Sequence, residues 1–327
     1  MQIHLNTYGL YLHVKDEMFE IKNSAKNEIN HLAAHKIKAI YLHKGMSIST
    51  DALLLALKHN VDIVMMNWDD KPAGRFWHCK LGSTTKIRKK QLEASLNHQA
   101  TFYTKEWITR KLDNQSEFIK SLKKHRQSQT DYLSVQGGRI IDFKQKIIDL
   151  NNDNIDEIAP QIRAYEGNAG RVYFETLFAT LKPYYDFKGR SYRPALDSYN
   201  AFLNYAYAIL YSKVEKSLIL AGLDPFVGFL HRDDYNYKSL VYDYIEPYRI
   251  YAEIPVFRLY SAKKIRIDHV DSMSNGVRIN AEGKTLLVEK LNKYMIEEKI
   301  RYKNRNTSRE NIIQLDAHIL AQQLLES

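Results

Sequence analysis

Hydrophobic and polar positions alternate in short runs through about the first 80 residues. The run 10–14 alternates, residues 15–17 favour a turn, and the run 18–21 resumes the alternation, which predicts a β-hairpin. Further β-like runs cover residues 39–43, 61–66 and 75–79. Residues 49–51 can cap a short helix, whose apolar face is predicted to include Leu53, Leu54, Leu55 and Leu57. These patterns predict a small β-rich domain that carries one helix.

After the basic run at residues 86–90, the apolar positions take a helical spacing, and Gly and Pro become scarce. The predicted helices cover residues 91–130 with a break near 100, 136–150, 159–180, 197–221, 234–254, 281–303 and 308–325. Turns are predicted at residues 275–276 and within 301–306. The fold class is therefore α+β in two blocks, a β-rich domain at 1–85 and a larger, mainly α-helical domain at 86–327.

The charge balance favours a polyanionic partner. The chain has 48 Lys and Arg against 38 Asp and Glu, for a net charge of +10. This charge is spread along the chain rather than collected on one amphipathic helix, and no apolar run approaches the length that spans a bilayer. We therefore expect nucleic acid, and not a membrane, as the partner. The basic runs 86–90 and 123–126 are candidates for following a DNA backbone, or else a charged linker and a solvated helix end.

The single cysteine, Cys79, excludes a disulfide framework within the chain and a thiolate metal cluster. The first six residues lack the basic stretch followed by an apolar one that begins a secretory signal. A cytoplasmic location is therefore expected.

Glu166 and His231 stand in unusual local settings. Glu166 is followed by Gly167 and Gly170 inside a segment otherwise suited to helix, where glycine is unfavourable, so close approach of a backbone or ligand is indicated. The alternative is an acidic residue at a helix start. His231 follows a turn-rich segment at 222–225 and an apolar stretch. It is either a ligand or a hydrogen-bonded structural histidine.

Asp243 and Glu246 are three residues apart, so on a helix they share a face, with Arg249 next on the same stripe. Pro247 removes the N–H that would bond the carbonyl of residue 243, so the helix is predicted to kink or loosen there. The alternative is a solvated acidic face paired with Arg249.

Two carboxylates and an imidazole form a donor set for Mg²⁺ or Mn²⁺ that leaves positions open for phosphate oxygens and water. Spacing alone does not bring Glu166 to His231 and Glu246. Other chemistries lack their motifs, since the sequence has no Gly-x-Ser-x-Gly elbow, no Gly-x-x-x-x-Gly-Lys loop and no His-x-x-Arg element. The candidate chemistry is therefore metal-assisted phosphodiester cleavage or transfer.

Four ordered blocks carry a resemblance over nearly the whole chain. They are residues 166–174, 190–200 continuing through 204–210, 221–231, and 239–249. With these blocks, the chain resembles the CRISPR-associated endonuclease/integrase of spacer acquisition, the Cas1 family. The resemblance implies that Glu166, His231 and Glu246 are catalytic metal ligands for Mg²⁺ or Mn²⁺, with Asp243 as an accessory acid.

The resemblance further implies a homodimer formed partly through the β-rich domains, and a small Cas2 partner protein that bridges two dimers on prespacer DNA. The implied reaction is transesterification, in which a DNA 3′-hydroxyl attacks a phosphodiester of the repeat without a covalent enzyme intermediate. Four arginines near the motifs are assigned to DNA or phosphate contact because a guanidinium matches phosphate geometry, namely Arg171, Arg190, Arg193 and Arg249. The alternative for each is a solvated face residue or a structural ion pair. The alternative from another class is a non-catalytic basic DNA-binding scaffold.

Overall fold

The computed structural model of the chain describes residues 2–23, 25–68, 72–76, 85–182, 185, 187, 189–231 and 237–326. The chain divides into two compact units, Met1–Leu81 and Gly82–Ser327. No helix within the described residues is both long enough and apolar enough to cross a bilayer.

Within its described residues, the first unit contains two four-stranded sheets and one α-helix. Its elements are β1 (Gln2–Leu5), β2 (Leu10–Lys15), β3 (Met18–Asn23), β4 (Glu28–Ala33), β5 (Ala39–Leu42), β6 (Ser47–Ile48), α1 (Thr50–Lys58), β7 (Asp62–Met66) and β8 (Pro72–Phe76). One sheet has the order β1-β5-β7-β8 and is parallel except for β8, and the other has the order β4-β3-β2-β6, in which only β6 pairs in parallel. Their core contains Leu12, Phe19, Ala52 and Val61.

The predicted hairpin is confirmed, because β2 and β3 pair antiparallel with Lys15 opposite Met18. The predicted cap is also confirmed, since the Ser49 hydroxyl accepts a hydrogen bond from the amide of Ala52 at 3.2 Å. The predicted apolar face of α1 is wrong at Leu54, which is 61% exposed, whereas Leu55 is buried with two neighbouring alanines. Residues 77–79 of the last predicted strand, Cys79 among them, lie outside the described residues.

The second unit is mainly helical with two small hairpins. Its elements are α2 (Thr85–Ser95), α3 (His98–Leu122), α4 (Thr130–Asp149), α5 (Ile155–Leu181), α6 (Ser198–Leu220), α7 (Ser239–Tyr244), α8 (Ile250–Ser261), β9 (Val270–Met273), β10 (Gly276–Ile279), α9 (Ala281–Asn292), β11 (Lys299–Tyr302), β12 (Arg305–Ser308) and α10 (Arg309–Glu326). Helix α3 packs on α4 and α5, and α6 packs on α8 and α10. The predicted class, a β-rich region followed by a mainly α-helical part, is confirmed.

The long helices lie where they are predicted, but α3 ends at Leu122 rather than at 130, and α4 begins at Thr130 rather than at 136. The predicted break near residue 100 lies between α2 and α3, where Asn97 caps α3 by accepting from the amide of Gln99 at 2.8 Å. The helix predicted at 281–303 is too long, since α9 ends at Asn292, a π-helical turn covers Lys293–Glu297, and the β11–β12 hairpin follows. Lys303 and Asn304 both have positive φ, of 43° and 65°, as a two-residue hairpin turn requires.

The helix predicted at 234–254 is interrupted. Helix α7 ends at Tyr244, a 3₁₀ turn covers Glu246–Tyr248, and α8 begins at Ile250. Pro247 lies in this turn, because it cannot donate the backbone hydrogen bond that would continue α7. The predicted loosening at Pro247 is confirmed, and it sets the position of Glu246.

Candidate functional site

Glu166 and Glu246 lie on different elements and meet at one lysine. Glu166 is in the middle of α5, and Glu246 begins the 3₁₀ turn after α7. The ammonium of Lys111, on α3, donates to Oε1 of Glu166 and, at 2.6 Å, to Oε2 of Glu246. Residues that are far apart in the sequence therefore share one cation. The alternative of Glu166 as a helix-start acid is wrong, since α5 begins at Ile155.

Glu246 is 6% exposed and is held from two sides. Its second oxygen, Oε1, accepts from Nε of Arg249 at 2.8 Å, and the same guanidinium donates to the hydroxyl of Tyr211 at 3.0 Å. Burial raises the pKa of Glu246, but Arg249 and Lys111 outweigh it and lower that pKa to about 2. The carboxyl is therefore an anion at neutral pH. The pairing with Arg249 is present, but it is buried and not part of a solvated face.

Lys111 is likewise kept charged. Burial lowers the pKa of its ammonium, whereas the charges of Glu166 and Glu246 raise it by more, so that the net pKa lies above the ordinary value. A buried ammonium is tolerated only where anions surround it. The two carboxylates supply that environment.

Asp243 holds His231 in position. The Nδ1 atom of His231 lies 2.5 Å from Oδ1 of Asp243, and the amide of His231 donates to the same oxygen at 3.2 Å. The other oxygen, Oδ2, accepts from the amides of Phe229 at 2.6 Å and Leu230 at 2.9 Å. Since a carboxylate only accepts, the proton lies on Nδ1, and the lone pair of Nε2 is the ring's coordinating position. The hydrogen bond to Asp243 raises the pKa of His231 more than burial lowers it.

The loop that carries His231 is built by close packing. A methyl group on Gly228 would lie 2.5 Å from the carbonyl oxygen of His231 and 2.8 Å from Oδ2 of Asp243, so only glycine fits. The buried amide of Gln91 bonds the backbone of Asp224 and Val227 at 2.7–2.9 Å and fixes the start of the loop. Both contacts determine where the imidazole lies.

The two glycines after Glu166, unlike Gly228, lie beside open space. A methyl group on Gly167 or Gly170 would meet no atom within 4 Å, so no other segment of the described chain approaches there. The predicted close approach of a backbone is therefore wrong. Open space beside this face of α5 remains compatible with approach of a ligand.

The four predicted DNA-contacting arginines fall into two pairs. Arg190 donates to the side-chain oxygens of Asn200 at 2.9 Å and Asn204 at 2.6 Å, and Arg249 is engaged by Glu246 as described above. Both therefore have protein partners that account for their positions. Arg171, which donates to Oδ1 of Asn168, and Arg193, which lies over the ring of Tyr192, are exposed and remain predicted DNA contacts.

Whether a divalent cation fits depends on Lys111. The donor types are suitable, since two carboxylates and an imidazole with its Nδ1 already bonded to a carboxylate are ligands of divalent metals. Within the described residues, however, no three His, Cys, Asp or Glu side chains are arranged so that they could hold a metal ion. The ammonium of Lys111 stands between the two carboxylates that such an ion would use.

Sequence reasoning missed Lys111, although a signal exists. Lys111 lies on the same face of α3 as Trp107, Ile108 and Gln115, all of which are buried. A lysine on the apolar stripe of a helix requires buried anions. A second missed residue is Asn114, whose amide donates to the carbonyl of Pro247 at 2.8 Å and secures the turn that carries Glu246.

The mainly helical unit, which follows a β-rich unit, brings two acids from separate elements, Glu166 and Glu246, to one buried lysine. The family model for CRISPR associated protein Cas1 matches residues 3–293, and the chain belongs to that family. It is 28% identical over 328 residues to CRISPR-associated endonuclease Cas1 1 of Archaeoglobus fulgidus, covering 97% of this chain and 94% of the relative. It is 32% identical over 254 residues to CRISPR-associated endonuclease Cas1 2 of Saccharolobus solfataricus, covering 78% and 73%.

Solved structures share the fold. A casposase bound to its integration product superposes with a TM-score of 0.82 at 22% identity, covering 99% of this chain and 90% of that one. A Cas1 protein from Thermotoga maritima gives 0.81 at 20% identity, covering 99% and 97%. A Cas6-RT-Cas1–Cas2 complex gives 0.78 at 18% identity, covering all of this chain and 35% of that chain. At these identities the likeness shows the fold alone.

Proposed function

We propose that this Cas1-family chain is a metal-dependent DNA endonuclease and integrase of CRISPR adaptation. Its substrates are a double-stranded prespacer and the CRISPR repeat, and its cofactor is Mg²⁺ or Mn²⁺. The names of the relatives support a nuclease, and the casposase neighbour, bound to an integration product, supports strand transfer.

One observation carries the proposal. Glu166 and Glu246 come from separate elements and share one cationic group, while His231 is held by Asp243 through Nδ1. Once the ammonium of Lys111 withdraws from between the two acids, Glu166, Glu246 and Nε2 of His231 would hold the metal ion. When bound, the ion supplies Lewis-acid activation of the phosphate and stabilises the oxygen anions of attack and departure.

The residues of the chain position the reacting groups. Glu246 stays ionised because its pKa is about 2, and Arg249 fixes the direction of its carboxylate. In the reaction, the attacking 3′-hydroxyl loses its proton and its oxygen bonds to phosphorus, while the bond from phosphorus to the 3′-oxygen of the cut strand breaks. That strand leaves with a 3′-hydroxyl, so one phosphodiester replaces another. Water in place of the 3′-hydroxyl gives hydrolysis, which is the endonuclease reaction.

The partners follow from charge and from the comparisons. The net charge of +10 supports sequence-independent binding to the DNA backbone, with Arg171 and Arg193 as exposed contacts. The neighbour in a Cas1–Cas2 complex supports a small Cas2 partner. We further propose a homodimer that acts in the cytoplasm.

The test replaces each proposed ligand, with Gln keeping the size of the two glutamates and Ala removing the imidazole. Glu166→Gln, Glu246→Gln and His231→Ala are assayed for strand transfer of a labelled prespacer into a repeat duplex with Mn²⁺. The matched control is Glu310→Gln, since Glu310 also pairs with a buried lysine, Lys213, at 2.7 Å. We expect products from wild type and the control and none from the three variants. Products from all three would refute the catalytic proposal.

A second function is favoured by the buried ion pairs themselves. Lys111 and Arg249 balance the charges of Glu166 and Glu246, as they would in a purely structural network within a DNA-binding scaffold. The scaffold predicts that the ligand variants lose stability but that wild type yields no strand-transfer product under any metal. Thermal melts beside the transfer assay separate the two functions.

A further inference from the structure

Lys111 occupies an unusual position. Its side chain is 7% exposed, and its ammonium bonds both Glu166 and Glu246, the two carboxylates proposed as metal ligands. Glu246 has a second cation in Arg249, whereas Glu166 is 29% exposed on its other side. The site therefore contains its own positive charge between the two acids.

The charge of Lys111 offsets the repulsion between the two carboxylates. Two carboxylates that approach one another without a cation repel, and the repulsion is strong where water is excluded. A lysine ammonium satisfies both with a single point charge, and its flexible four-carbon stem lets that charge move without moving α3. Arginine would instead hold carboxylates through a planar fork.

The same position raises a conflict with metal binding. The oxygens that hold the ammonium are oxygens that a divalent cation would use, and a metal ion and an ammonium repel. The described part of the chain contains no three acidic, imidazole or thiol side chains arranged for a metal. Resting on the proposed function, we propose that Lys111 takes the place of the metal ion between Glu166 and Glu246 in the metal-free protein and has to leave when the ion binds.

The proposal makes Lys111 a positioning residue that keeps the site assembled before metal arrives. Its removal leaves two carboxylates facing one another, which weakens the metal-free fold and strengthens attraction for a divalent ion. Removing one partner of a buried ion pair is a large perturbation, so a gain in Mn²⁺ affinity of about tenfold or more is expected.

The experiment measures Mn²⁺ binding to the full chain without DNA, by calorimetric titration and by the EPR signal of unbound Mn²⁺. Lys111→Met removes the charge and keeps the length of the stem. Lys213→Met is the matched control, because Lys213 is 5% exposed and pairs with Glu310 away from the site. The double variant Glu166→Gln, Lys111→Met shows whether the additional Mn²⁺ affinity arises at this site, since it should lose the increase in affinity that Lys111→Met gives.

Tighter binding by Lys111→Met alone, with a lower Tm of its metal-free form, supports the proposal. If Lys111→Met binds Mn²⁺ as tightly as wild type or more weakly, the proposal about Lys111 is overturned, but the proposed metal site is not. Absence of Mn²⁺ binding in both wild type and Lys111→Met refutes the metal site of the proposed function, and the inference about Lys111 falls with it.

A second measurement needs no variant and so remains valid if Lys111→Met fails to fold. Wild type is treated with acetic anhydride with and without Mn²⁺, and acetylation of each lysine is followed by mass spectrometry. Displacement by the ion predicts faster acetylation of Lys111 with Mn²⁺ and an unchanged rate at Lys213. An unchanged rate at Lys111, in protein shown to bind Mn²⁺, would overturn the proposal.

Discussion

The replacement Asp243→Asn is the sharpest perturbation of the site that keeps side-chain size. The carboxylate accepts four hydrogen bonds, two at Oδ2 from the amides of Phe229 and Leu230 and two at Oδ1 from His231. The asparagine side chain has only one oxygen that can accept these hydrogen bonds. If that oxygen keeps the two bonds at Oδ2, the NH₂ group faces the backbone N–H of His231, where two donors oppose each other.

The magnitude follows from this count. Asp243 is 3% exposed, so a donor left without an acceptor cannot turn to water. A hydrogen bond to a charged group contributes about 1.5–3 kcal/mol, and two are lost, with part recovered by relaxation. We expect the free energy of unfolding to fall by about 3 kcal/mol. The NH₂ group also donates to Nδ1, which moves the ring proton to Nε2 and removes its lone pair, so Mn²⁺ affinity should fall by about 10–100-fold.

Urea denaturation gives the stability change, and calorimetric titration gives the affinity for Mn²⁺. Asp316→Asn is the control, because Asp316 is also buried and accepts from Tyr248 at 2.8 Å in the same unit. It should lose stability and retain Mn²⁺ affinity. A stability change in Asp243→Asn below about 0.5 kcal/mol together with unchanged affinity would refute the assigned role of Asp243.

Three further predictions concern packing, pH and salt. Gly228→Ala should lower the free energy of unfolding by about 1–3 kcal/mol, because the added methyl would lie 2.5 Å from a backbone oxygen. Gly167→Ala, whose methyl would meet open space on α5, should raise the free energy of unfolding by up to about 1 kcal/mol. Urea melts measure both changes, and equal effects of the two variants would contradict this prediction. Burial raises the pKa of Glu20, but hydrogen bonds from Lys22, His31 and His13 lower it from 4.5 to about 2. The stabilisation is therefore complete above about pH 4.5 and lost towards pH 2, so Glu20→Gln should show a shallower loss of stability over that interval in urea melts, and a slope equal to that of wild type would count against it. Affinity for a labelled DNA duplex, measured by fluorescence anisotropy, should fall steeply as the salt concentration rises. An affinity that does not change with salt would contradict electrostatic binding to the DNA backbone.

Much of the fold follows from local rules. The first hairpin is predictable because its strands alternate and a turn separates Lys15 from Met18. The interruption of the helix after Tyr244 is predictable from Pro247. The turn predicted within 301–306 is present at Lys303 and Asn304, but the β11–β12 strands were missed because the predicted helix was extended to residue 303.

The site was predictable only in part. Each of Glu166, His231 and Glu246 has a local setting that marks it, but the meeting of two of them depends on the packing of α3 against α5 and the 3₁₀ turn. Periodicity within one helix carries no information about such packing. The bond between Asp243 and His231 was not predicted for the same reason, since α7 has to fold back on the loop before the two residues meet.

The most direct measurement is a crystal structure of the Mn²⁺-soaked protein with anomalous scattering to locate the ion. The account predicts one Mn²⁺ in contact with Glu166, Glu246 and Nε2 of His231, with Asp243 still on Nδ1 and the ammonium of Lys111 moved away from both acids. An ion bound elsewhere, or Lys111 still bridging Glu166 and Glu246 under saturating Mn²⁺, would contradict the account.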